Sequence, residues 1–210
     1  MIDTFIKRYR FENYFVDDLI FDDTKIIFVL ESPHIYEVQN GYPVAGKSGK
    51  DMSKILIQDE SLKKESFGKL IYEKKIKNFG IVNISNIPLQ ELAYSTEDEK
   101  FQQLPTQFIF KDFVLFRQNP SFRKKDCRVN KLINIFQEDF IKRLSPHKDK
   151  KIVLCGGFVH KIFHDTFSDN DFQSTIEVPH PSFNNWSKVK YKEKIVELKE
   201  FIKDENSTNI

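Results

Sequence analysis

Four short apolar runs, alternating with amphipathic stretches, make this an α/β chain: a three-layer α/β/α sandwich with a central four-stranded, mainly parallel sheet. Two observations carry that reading. The runs are rich in Ile and Val and are closely followed by Gly, Pro or Asn, as strands buried on both faces are. The segments between them repeat apolar residues at three-to-four spacing, the period of a helix packed on one side.

In chain order, the N-terminal 20 residues supply a helix ahead of the sheet, and KIIFVL (25–30) is the first strand. Helices are expected over SGKDMSKILI (48–57), with Ser48 as N-cap, and over FGKLIYEKKI (67–76). FGIVNIS (79–85) is the second strand. Residues 91–126, from ELAY to RKKD, are the least legible segment and read as an insertion. In VNKLINIFQEDFIKRL (129–144), Val129, Leu132, Ile133, Phe136, Phe140, Ile141 and Leu144 share one side of a helix. KIVLCG (151–156) is the third strand, FVHKIF (158–163) a helix, STIEV (174–178) the fourth strand and VKYKEKIVELKEFIKD (189–204) the last helix. The tail over 204–210 reads as frayed. The whole, 1–210, is one domain without internal repeats.

Composition narrows the function. At 40% hydrophobic and 30% charged residues, the 210-residue chain is globular and long enough for a substantial core. Runs such as IIFVL fall far short of a membrane span, and the opening MIDTFIKRYRF has no signal-like apolar stretch. The expectation is a cytoplasmic monomer with no membrane partner. Cys127 and Cys155, without paired spacing, argue against a disulfide framework and against a metal site built mainly from thiolates. A net charge of +2 gives no global basic field, although Lys188, Lys190, Lys192 and Lys194 crowd behind HPSFNNWS.

In sheets of this kind the ligand site lies beyond the carboxyl ends of the strands. The first strand is followed by Glu31 and His34, the second by Asn83 and Asn86, the third by Gly156 and Gly157, and the fourth by His180 and Ser182. Polar groups converging on one rim make it the candidate site.

GYPVAGKS (41–48) satisfies the phosphate-loop pattern G-x-x-x-x-G-K-[ST], but its context does not. The preceding strand ends near Leu30, about ten residues too early for a loop that must leave a strand directly. Pro43 also removes an N–H from inside the cradle. No later strand ends in an Asp to hold magnesium.

Taken together, LESPHIYEVQNGYPVAGKSG (30–49), VNISN, VLCGG and VPHPSF resemble the uracil-DNA glycosylase superfamily, and most of all its iron–sulfur, family 4 branch. That branch carries G-E-A-P-G, then G-x-P-F-V-G-x-[AS]-G, and later an H-P motif. The likeness covers roughly 25–186 and implies hydrolysis of the bond between an altered base and deoxyribose in single- or double-stranded DNA. By this resemblance His180 stabilises the departing base and Glu31 positions water and offsets the sugar's positive charge, with Glu37 as a second acidic position. Asn83 pairs with a base edge, and Val44, His34 and Tyr42 (or Tyr36) line the pocket. Lys47 and Ser48, at a helix start, meet a DNA phosphate. Ser182, Phe183, Trp186 and Lys188 follow His180 as DNA-binding positions, with Phe183 or Trp186 as a wedge or stacking ring.

Three departures stand out. Two cysteines cannot supply the branch's four cluster thiolates, so no cofactor is expected. The family's stacking phenylalanine falls on Val44, which removes about 1–3 kcal/mol of stacking and opens space for another base. Leu30 and His34 replace glycines of the first motif. The competing reading is a protein of the same fold that binds nucleic acid or a nucleotide without cleaving it.

Overall fold

A computed structural model of the chain describes residues 1–9, 11–94, 109–118, 127–168 and 170–203. Its sheet holds β1 (Ile26–Leu30), β2 (Phe79–Asn83), β3 (Lys151–Cys155) and β4 (Ser174–Val178), in the order β2-β1-β3-β4 with every pairing parallel. Each strand falls on an expected run. β1, β2 and β3 are buried throughout, while β4, at one edge, is half-buried until Val178.

Period-two alternation sends the strand side chains into two separate cores. Ile27, Val29, Val82, Ile152 and Leu154 face one layer, built from α1 (Ile2–Tyr9), α5 (Ile109–Gln118), α6 (Cys127–Leu144) and α7 (Gly157–Thr166). Ile26, Phe28, Leu30, Ile81, Val153 and Cys155 face the other, built from α3 (Lys47–Leu56), α4 (Phe67–Tyr72) and α8 (Lys192–Lys203). A short α2 (Ile35–Asn40) sits in the loop after β1. No helix among the described residues is long and apolar enough to cross a membrane.

Several boundaries differ from expectation for local reasons. The N-terminal helix stops at Tyr9, and a 3-10 turn, Glu12–Tyr14, comes next. Gly46, in extended conformation, is the N-cap of α3, so Ser48 lies inside the first turn and caps nothing. α4 ends at Tyr72 because Lys74 turns left-handed at φ 55° and redirects the chain toward β2. A 3-10 turn at Val189–Tyr191 delays the last helix to Lys192.

The segment read as an insertion also needs correction over 109–118. There α5 is part of the core: Phe113 and Phe116 are fully buried, and Phe116 stacks on Phe136 of α6 at 5.6 Å between centroids. Truncating either ring to Ala costs about 3–5 kcal/mol, so α5 belongs to the fold rather than to a decoration on it. Residues 95–108, 119–126 and the tail lie outside the described residues.

The loop over 41–46 is clamped between two helix starts. A Cβ on Gly49 of α3 would lie 2.0 Å from the Val44 carbonyl oxygen, and one on Gly68 of α4 would lie 1.8 Å from that of Pro43. Gly68→Ala is therefore expected to cost about 3 kcal/mol, read as a lower midpoint in urea denaturation. An unchanged midpoint would mean that the loop yields freely.

Candidate active site

Register brings the four strand ends to one level. Leu30 pairs with Asn83, Val29 with Leu154, Leu154 with Glu177 and Cys155 with Val178. Glu31 leaves β1 and His180 leaves β4 on the same rim, separated by β3 and so by about 10 Å of backbone. Between them the chain turns at Gly156, whose φ of 98° suits glycine. A Cβ there would sit 3.0 Å from the His180 Cβ, so the missing side chain lets His180 close onto β3.

The His180 ring is fixed by its own loop. Its Nδ1 accepts the Ser182 N–H at 3.2 Å, and the Ser182 hydroxyl lies 2.8 Å from the same nitrogen. A backbone N–H can only donate, so Nδ1 is the bare nitrogen and Nε2 carries the proton. Burial holds the imidazole below its ordinary pKa, with the Glu31 carboxylate pulling it up and the Arg117 guanidinium pushing it down. Both charges are therefore near the ring, and at neutral pH it is an uncharged Nε2–H donor.

Glu31 is paired with a residue that no sequence motif marked. Arg117 Nε on α5 donates to Glu31 Oε1 at 2.5 Å, with both side chains partly buried. Ser85 N–H donates to the Glu31 carbonyl at 3.1 Å, which ties this turn to the chain leaving β2.

Asn83 is held by a second unsignalled group. Asp18 accepts its N–H at 3.2 Å and the Asn86 side-chain amide at 3.2 Å. Arg143 of α6 donates to Asp18 at 2.7 Å, to the Asn83 carbonyl at 2.9 Å and to the Ile84 carbonyl at 3.0 Å. Burial pushes the Asp18 carboxyl up and Arg143 pulls it back. With its backbone fixed on both sides, Asn83 keeps a buried side-chain nitrogen, Nδ2, that has no partner among the described residues.

The glycine-rich stretch does not form a strand-to-helix phosphate loop. Gly41 is the left-handed C-cap of α2, and α3 begins only at Lys47, so the pattern straddles the end of one helix and the start of another. Inside it, the Val44 N–H is taken by Glu37, which accepts it on Oε1 and the His34 N–H on Oε2. Both Glu37 oxygens thus hold loop backbone, which corrects the reading of Glu37 as a catalytic carboxylate. Val44 is buried in the second core, and Tyr42 is stacked on Tyr72 of α4 at 4.9 Å. Neither is an open wall of the rim, contrary to expectation. Tyr36 is exposed, covers Gly46 and stacks on the His34 ring at 5.8 Å. Lys47 and Ser48 begin α3, whose first N–H groups have no side-chain cap.

The family model of the Uracil DNA glycosylase superfamily matches residues 18–203, nearly the whole chain. The chain belongs to the uracil DNA glycosylase superfamily. A search of curated proteins finds no match. The matched range begins at Asp18 and runs through α5, beyond the stretch that the motifs cover. Superfamily membership implies DNA as the substrate and a DNA glycosylase-like function.

In this superfamily member the loop behind His180 is stapled to the strand end. Trp186 Nε1 donates to the Pro179 carbonyl at 2.6 Å and Asn185 Nδ2 to that of His180 at 3.0 Å. Trp186 is 3% exposed and packs near Phe28, which removes it as a wedge. Phe183, by contrast, is 86% exposed at a tip where it and Asn184 take left-handed φ values of 56° and 53°. Ser182 is turned to the imidazole, and Lys188 Nζ donates to Asn185 Oδ1 at 2.6 Å.

Glu37 generates a pH dependence. Burial raises its carboxyl from 4.5 to about 7, and the two N–H donors only partly oppose this. Between those values the folded state binds more protons than the unfolded one. The contribution to stability is therefore full below about 4.5 and lost as pH rises through about 7. The loss is about 3 kcal/mol at most. Glu37→Gln should flatten the fall in unfolding free energy between pH 5 and pH 8, measured by urea denaturation. Equal slopes in the two proteins would contradict the assignment.

Proposed function

We propose that this protein hydrolyses the N-glycosidic bond of uracil or another altered base in DNA. The observation that carries the reading is the pair Glu31 and His180, set on one rim across the glycine turn of β3, each within electrostatic reach of the other. Breaking a base–sugar bond leaves negative charge on the base and positive charge on the sugar. A site that serves both needs a neutral hydrogen-bond donor on one side and a carboxylate on the other.

His180 meets the first need. Its Nε2–H, without a partner among the described residues, donates to an oxygen of the departing base, and because the ring is uncharged the bond strengthens as charge develops. Glu31 meets the second. Its Oε1 is held by Arg117, and its Oε2, without a partner among the described residues, offsets the sugar cation and orients the attacking water. Asn83 Nδ2 reads the base edge, since a buried unpartnered amide costs about 1–3 kcal/mol until an acceptor reaches it. The uncapped start of α3, with Lys47 and Ser48, suits a phosphate of the DNA backbone. Phe183 is the wedge that fills the space of an extruded base.

The test is base release from single- and double-stranded oligonucleotides carrying uracil, hypoxanthine, xanthine, hydroxymethylcytosine or glucosylated cytosine, read as alkali-sensitive breaks. At least one substrate is expected to be cleaved, and His180→Ala or Glu31→Gln is expected to reduce its rate at least about a hundredfold. Binding without cleavage of any substrate would make this a binding protein of the same fold. Phe183→Ala should slow duplex substrates about tenfold more than single strands, because only the duplex must be opened. Equal effects on the two would remove the wedge assignment.

A further inference from the structure

We propose that Arg117 is a positioning residue that balances the charge of Glu31, so that a carboxylate and an uncharged imidazole coexist on one rim. The proposal rests on the glycosylase reading for its purpose, though not for its test. Glu31 and His180 have conflicting needs. An unpaired carboxylate near a partly buried imidazole draws a proton onto the ring, because a nearby opposite charge favours the protonated form. A protonated ring would carry hydrogen on both nitrogens. At Nδ1 that hydrogen would meet the Ser182 N–H, a second donor pointing at the same place. The ring would either break from its loop or turn, and its donor would leave the rim.

Arg117 removes the conflict by pairing with the carboxylate. Its Nε lies 2.5 Å from Glu31 Oε1, and the neighbouring Phe116 and Phe113 anchor α5 in the first core. Arg117 therefore reaches the rim from a helix packed into the first core. Among the described residues, the charges acting on His180 are Glu31 from the β1 turn and Arg117 from α5. The β3–α7 turn offers only Gly156 and Gly157, and the loop after His180 has no ionisable side chain before Lys188. α3, packed on that loop, carries Lys47, Lys50 and Asp51 in its first turns.

The test is the titration of the His180 ring, monitored by NMR in the whole protein and assigned by its loss in His180→Gln. Arg117→Met should raise the midpoint, Glu31→Gln should lower it, and the double variant should return it between the two. Arg117→Lys, which keeps the charge, should stay near the parent protein and serves if Arg117→Met does not fold. In base release, Arg117→Met should lose about tenfold more activity at pH 6 than at pH 8 relative to the parent, a pH signature that simple loosening of α5 would not produce. A midpoint that stays put or falls in Arg117→Met would overturn the proposal, whether or not the protein releases a base. Absence of base release with the midpoints moving as stated would instead overturn the glycosylase reading and leave the charge balance standing.

Discussion

Parallel pairing of four short strands governs everything built on this protein. β1 lies between β2 and β3, and β4 adds to the outer side of β3, all running the same way. Residues 31, 83, 156 and 180, far apart in the chain, therefore emerge at one edge. The two cores lock this alignment. Val153 and Cys155 face one layer while Ile152 and Leu154 face the other, so a slip of one residue in β3 would turn both sets the wrong way. Position along the rim is thus enforced by apolar burial, before any polar contact is made.

Polar contacts then fix orientation in loops that hold unfavourable backbone. Val44 has a φ of 57°, a true outlier for a β-branched residue, and strain of this kind costs about 1–3 kcal/mol. Glu37 holds its N–H, and Gly49 and Gly68 leave room for the carbonyls of 43–44. Phe183 and Asn184 are likewise left-handed, and bonds from Ser182, Asn185 and Trp186 secure the turn around them. A loop that relaxed would release the imidazole from its single tautomer. Strain next to His180 is the counterpart of a ring that does not wander.

Sheet and rim were legible because strands buried on both faces write themselves as Ile- and Val-rich runs, and the polar residues just past each run sit on the rim. Glu31, Asn83 and His180 stand out in that way. Arg117 does not, because an ion pair between residues 86 apart leaves no periodic trace, and α5 sits in a segment whose neighbouring residues blur its pattern. Asp18 and Arg143 escape for the same reason. Trp186 misleads: an aromatic residue beside lysines reads alike whether it is a wedge or, as here, a core ring donating to Pro179. The context of the G-x-x-x-x-G-K-[ST] match was legible, since α2 does stand between β1 and Gly41 and no strand leads directly into the loop. Ser48 misses as a cap because Gly46 already supplies the extended residue before the helix.

Glu31 and His180 as the two faces of one bond is the idea to which the sheet, the clamps and the neutral ring all lead. A crystal structure with an oligonucleotide carrying a 2′-fluorinated, uncleavable copy of the processed nucleotide examines it without kinetics. The expected result is one extruded nucleotide with its anomeric carbon between the two side chains. His180 Nε2 lies within hydrogen-bond distance of a base oxygen, Asn83 Nδ2 bonds the base edge, and the Glu31 carboxylate is on the opposite face of the sugar. A nucleotide seated away from this rim, or a base that reaches neither His180 nor Asn83, would contradict it.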